Sequence, residues 1–202
     1  MIPIGLALAG LVLCPLAVWG EDSPLLKRWL ENPPNLLEDI ENSPSFATKA
    51  RFSFTGRDNN LGFDLGATDI FLGSSKLTLN GGYQQEFTGE NPSYYGNLRY
   101  YILPLGSYIN LAPQVGYRRV FATGGVDLGW QVVLALSPQS ADLRLEQTFT
   151  APGDANEVSI TTLSTSYALQ RQLFFHSAIQ WRRSFHRSDS VVRLGLELKL
   201  SQ

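Results

Sequence analysis

From about residue 48 to residue 200 the chain alternates apolar and polar residues with a period of two, in ten runs separated by short connectors rich in Gly, Asn, Asp, Ser and Pro. The runs are Thr48–Thr55, Leu61–Ala67, Lys76–Phe87, Tyr94–Leu103, Tyr108–Phe121, Gly125–Leu136, Asp142–Thr150, Glu157–Leu169, Leu173–Phe185 and Val191–Leu200. Connectors such as Ser137-Pro138-Gln139-Ser140 are too short for a crossover, so neighbouring runs must pair antiparallel. An even number of such strands closes most simply into an all-β, up-and-down antiparallel barrel of about ten strands, with eight as the smaller possibility.

The alternation also sorts side chains onto two faces. Val192, Leu194, Leu196, Leu198 and Leu200 share one face of the last run, and Arg193, Gly195, Glu197 and Lys199 share the other. Val126, Leu128, Trp130, Val132 and Leu134 part in the same way from Asp127, Gly129 and Gln131. Pattern alone does not say which face is inside. A soluble, lipocalin-like periplasmic barrel would bury the apolar face around a hydrophobic ligand, and a membrane barrel would turn it to lipid. Strand lengths near those of tilted membrane strands, aromatics such as Tyr83, Tyr100, Trp130 and Trp181 on the apolar face, and an export signal favour lipid.

That signal is residues 1–20: an uncharged apolar run from Gly5 to Val18, then small residues before Glu21. Residues 21–44 form an acidic amphipathic segment with net charge −4, leaving +2 for the barrel domain at 45–202. Ser23 and Pro24 can start a short helix with Leu25, Leu26, Trp29 and Leu30 on one side, a docking surface for a periplasmic partner.

With the apolar face outward, the lumen is lined by Lys49, Arg51, Lys76, Arg99, Arg118, Arg144, Arg182, Arg193 and Lys199, against Asp64, Glu86, Asp127, Asp142, Glu146 and Glu197. His176 also faces inward. Nine cations against six anions predict ion pairs that fill a narrow lumen, with a weak preference for anions if a path stays open. Arg57, Arg119, Arg183 and Arg187 fall at the end away from the termini, where a guanidinium could reach the phosphates of outer-membrane lipid.

Catalytic chemistry is not indicated. One inward His without a motif reads as a structural hydrogen-bonder, and the sequence has no phosphate loop, nucleophile elbow or calcium loop. One Cys and two His do not make a usual zinc set, no cofactor is implied, and the net charge of −2 gives no footprint for nucleic acid. The stretches Pro33–Phe54, Leu98–Arg118 and Glu157–Leu169 resemble a family of uncharacterised exported proteins from cyanobacteria. The resemblance implies a Gram-negative envelope and a porin-like, outer-membrane-type barrel, and brings no assigned activity. Two features depart from such barrels: the chain ends Leu200-Ser201-Gln202 without a terminal aromatic, and Pro113 removes an amide donor from a central run, predicting a bulge or break.

Overall fold

A computed structural model describes residues 43–58, 60–73, 75–90, 92–120, 123–185 and 187–200. The expected signal segment and the short acidic helix lie outside the described residues. Ten strands follow: β1 (Lys49–Arg57), β2 (Asn60–Phe71), β3 (Leu77–Glu86), β4 (Ser93–Tyr100), β5 (Ile109–Val120), β6 (Thr123–Ser137), β7 (Ala141–Thr150), β8 (Val158–Ala168), β9 (Leu173–Ser184) and β10 (Ser188–Lys199). Each pairs antiparallel with its chain neighbours, and β1 pairs with β10 from Lys49↔Lys199 to Gly56↔Val192, closing the barrel. Closure matters because it leaves no strand edge unpaired.

The orientation of the two faces follows directly. Leu194 and Leu198 are 51% and 54% exposed, whereas Arg193 and Glu197, the residues before them, are 7% and 4% exposed. The same split runs around the wall, with Phe54, Leu65, Leu128 and Ile179 outside and Ser53, Asp64, Asp127 and Gln180 inside. The lipocalin-like alternative is thereby overturned: the face such a carrier would bury around its ligand is the outer one here, and the interior is charged.

Strand ends depart from the alternation where the backbone is irregular. Strand β2 runs on to Phe71, past the expected end at Ala67, because a bulge between Ala67 and Ile70 resets its register with β3. Strand β4 stops at Tyr100, short of Leu103. Pro113 explains this. The Leu111 carbonyl accepts from the Ile102 amide, so Pro113, two residues on, directs its missing donor to the same β4 side. There the β4–β5 ladder ends at Arg99↔Gln114, while Pro113 keeps its place opposite Trp130 of β6. The expected break is therefore confined to one edge of an otherwise continuous strand.

Inward glycines let the wall curl. A Cβ at Gly195 would lie 2.2 Å from the Phe52 carbonyl oxygen, and one at Gly129 would lie 2.2 Å from that of Gln147. Neither backbone oxygen can move without breaking a strand ladder, so these positions exclude every larger residue. At Gly96, by contrast, an added Cβ meets nothing within 4 Å. Gly195→Ala should lose roughly 3 kcal/mol or more of stability, the upper range for overpacking, while Gly96→Ala stays close to wild type. Urea unfolding of the two variants in detergent checks the contrast.

Candidate functional site

The lumen is built from its terminal end upward. Before β1, residues Ser45 to Thr48 cross the barrel mouth as a strap. The Ser45 amide donates to the Leu105 carbonyl (2.9 Å) and its hydroxyl to that of Ser107 (2.8 Å), both in the β4–β5 connection. The Ser45 carbonyl accepts from the Gln139 amide (2.6 Å) in the β6–β7 turn. These anchors stand across the ring of ten strands from β1, which begins at Lys49. Phe46 is thereby carried into the barrel end, 2% exposed, against Tyr101, Leu105, Ala112, Val133 and the half-buried Phe71. Its ring centroid lies 4.6 Å from that of Tyr101. The result is an apolar floor under a polar lumen.

Directly above the floor sits Asp69, fully buried in the β2 bulge with φ at 56°. Left-handed backbone is uncommon for residues other than Gly, and Asp and Asn tolerate it best. One carboxylate oxygen accepts from Tyr101 Oη (2.6 Å) and Arg99 Nη1 (3.2 Å), and the other from Arg144 Nη1. The main chain is engaged as well. Its amide donates to Asn80 Oδ1 (2.8 Å) and its carbonyl accepts from the Thr48 hydroxyl of the strap.

From Asp69 the pairs branch. Arg144 Nε also donates to Asp142 Oδ1 (2.7 Å), which shares Lys49 (2.7 Å). Lys49 continues to Glu197 (3.3 Å) and to Ser166 Oγ (2.7 Å), and Glu197 accepts from Ser166 (2.7 Å) and meets His176 Nδ1 at 3.1 Å. On the other branch Arg99 reaches Glu146 (3.2 Å), which is shared with Arg118 (3.6 Å), itself bonded to Asp127 (3.0 Å). Arg51 pairs with Asp64 at 2.7 Å. Ser166 and Glu197 are thus engaged in a structural chain with Lys49, and the central cavity that they border together with His176 is about 50 Å³.

Of the sixteen residues expected in the lumen, all but Lys76 and Lys199 project inward, with Glu146 the most exposed of these fourteen at 20% of its side chain. Three further charges lie inside. Arg57, expected beside lipid phosphate, is 6% exposed and bonds Glu86 (2.9 Å) and Asp189 (2.8 Å) inside the far end, because β1 extends through it in inward register. Asp69 and Asp189 were missed: the first is out of phase until the bulge is known, and the second lies in the three residues by which β10 starts early. Lys76 and Lys199 stand half-exposed at the terminal rim, Lys199 donating to Gln139 (2.7 Å). Among the described residues the interior then holds eight cations (Lys49, Arg51, Arg57, Arg99, Arg118, Arg144, Arg182, Arg193) and eight carboxylates (Asp64, Asp69, Glu86, Asp127, Asp142, Glu146, Asp189, Glu197). The surplus behind the expected anion preference is gone. Arg119 and Arg183 are exposed on the outer wall near the far end, and Arg187 is exposed in the β9–β10 turn.

Outside, large aromatics gather toward both ends. Tyr100, Tyr108 and Tyr167 are 51%, 64% and 62% exposed near the terminal end, and Phe87, Tyr117, Trp181 and Phe185 are exposed near the far end, with leucines and valines between. No known protein family and no curated protein matches the chain. Among solved structures it is similar to a de novo designed transmembrane β-barrel, at 14% identity and TM-score 0.43 over 80% of this chain and all of that one. It is also similar to the NanC porin (8% identity, TM-score 0.49, 76% and 100% covered) and the KdgM porin (6%, 0.48, 76% and 99%).

Asp69→Asn keeps the residue size and the tolerance for left-handed backbone but removes the charge that Arg99 and Arg144 share. Leaving two buried guanidiniums short of a carboxylate should cost about 3–5 kcal/mol. Chemical unfolding in detergent micelles measures it, and a loss below about 1 kcal/mol would deny Asp69 its central place.

Proposed function

We propose that the chain is a non-enzymatic outer-membrane β-barrel that is closed at rest, a structural element of the envelope or a narrow channel that requires rearrangement to open. The observation that carries this reading is the inside-out distribution of side chains: a continuous apolar wall around a charged interior crossed by ion pairs. Lipid is the solvent in which such a wall is stable, and a closed barrel is the one sheet form that satisfies its backbone there. Closure at rest is supported by the Phe46 floor and by the ion pairs that fill the lumen above it.

The even strand number puts both ends of the domain on one side, the periplasmic side in a Gram-negative envelope, which the resemblance to exported cyanobacterial proteins also implies. The strap then faces the periplasm, and a periplasmic partner is the proposed ligand of the acidic sequence at 21–44. At the opposite end Arg119, Arg183 and Arg187 are the residues positioned for the phosphates of outer-leaflet lipid. With interior charges balanced, no anion preference is expected from net charge alone.

Fractionation of the native envelope, with a gel comparing boiled and unboiled samples, tests the membrane reading, and a planar bilayer recording tests closure. Retention in the outer membrane with a heat-dependent mobility shift and no steady conductance is expected. Release as a soluble monomer would overturn the first part, and a steady open conductance would overturn the second.

A further inference from the structure

The outer wall changes character over three adjacent strands. Outward residues of β6 from Val126 to Leu136, and of β10 from Val192 to Leu198, are Val, Leu and Trp throughout. Strand β8 differs: Val158 and Ile160 are buried, Leu163 and Tyr167 are exposed, and the same register turns Ser159, Thr161 and Thr165 outward. Its neighbours add Gln147, between the exposed Leu145 and Phe149, and Ser177, between the exposed Phe175 and Ile179. Elsewhere on the described wall the outward Ser, Thr and Gln side chains, Gln85, Ser188 and Ser190, stand at or near a strand end.

Hydrogen-bonding capacity sets this face apart. Gln147 Nε2 donates to Ser159 Oγ (2.9 Å), and Gln147 Oε1 accepts from the Thr161 hydroxyl. An amide oxygen has a second lone pair, and a Ser hydroxyl that accepts still has a proton to give, so the cluster can both donate and accept further bonds. Acyl chains offer neither. Small and hydroxyl-bearing or amide side chains are the ones through which proteins associate inside a bilayer, by close approach and by hydrogen bonds.

Shape points the same way. Thr165 pairs with Ser177, and this row of small side chains is bounded by Leu143 on β7, by Leu194 on β10, and by the Leu163 and Ile179 pair toward the far end. The outcome is an outward dent of about 280 Å³, with room for aliphatic side chains of a facing protein. A face that both donates and accepts is complementary to itself, and the stripe from Ser159 to Thr165, with Gln147 and Ser177, carries no charge, so a symmetric pairing brings no like charges together.

We propose that the β7–β9 face is the contact through which two copies of this chain associate in the membrane, about a two-fold axis along the membrane normal. The inference rests on the lipid-facing reading, which the boiled-against-unboiled gel reports separately: a heat-shifted barrel that is monomeric overturns the dimer and leaves that reading standing. Sedimentation equilibrium of the full chain in density-matched detergent micelles reads its mass. The wild type should be a dimer, and Gln147→Leu combined with Thr161→Val should raise the dimer dissociation constant roughly tenfold while keeping the gel shift. Gln85→Leu, on β3 across the barrel, should leave it unchanged. A monomer at every protein concentration, or association undiminished in the double variant, overturns the proposal. If the double variant does not fold, oxidative cross-linking in vesicles decides. Thr161→Cys in a Cys14→Ser background should form a disulfide-linked dimer where Leu98→Cys on β4 does not, and equal cross-linking at the two positions overturns the proposal.

Discussion

The Asp69 carboxylate is the interaction on which this barrel depends. It joins the floor, through Tyr101, to two arginines on β4 and β7, and its backbone ties the strap and β3 to the same point. A buried charge is costly unless its partners are complete, so the cost of any one member leaving is spread over the whole chain of pairs. The bulge that places Asp69 there stores left-handed backbone in a residue that tolerates it. Backbone irregularity and charge placement are thus one feature rather than two.

A charged core of this kind makes sense only with an apolar exterior. In a soluble domain the ledger runs the other way, since burial of apolar surface drives folding and charges stay in water. Here the outward leucines, valines and aromatics, such as Phe54, Leu128, Trp181 and Leu194, are exposed, and the ten strands close into a barrel. Within the wall, inward glycines such as Gly195 and Gly129 permit the curl that brings opposite strands near enough for arginines to bridge the lumen. Strand curvature and ion pairing are therefore coupled: a wider barrel would leave the same charges facing water.

Much of this was legible in the sequence, because period-two alternation depends only on the pleat. All ten runs and the sorting of the lumen charges follow from it. What pattern could not decide was which face is inside, since both choices satisfy the same alternation; the burial of Arg193 and Glu197 beside exposed Leu194 and Leu198 decides it. Asp69 is unreadable because a bulge shifts parity, and Arg57 is misassigned and Asp189 missed because strand ends are set by pairing with neighbours rather than by local pattern. Pro113 predicts a bulge or break, and only its β4 edge is affected. The strap at Ser45 to Thr48 has no periodic signature at all, and its role follows from where its hydrogen bonds go.

The central claim is that the wall faces lipid and the charged face is sealed inside. A nitroxide scan along β10 from Val191 to Leu198, in a Cys14→Ser background reconstituted into vesicles, tests it most directly. Labels at Val192, Leu194, Leu196 and Leu198 should collide freely with oxygen, which concentrates in the bilayer, and little with a water-soluble nickel chelate. High nickel collision at those four positions would mean that the apolar wall stands in water, and the account would be wrong.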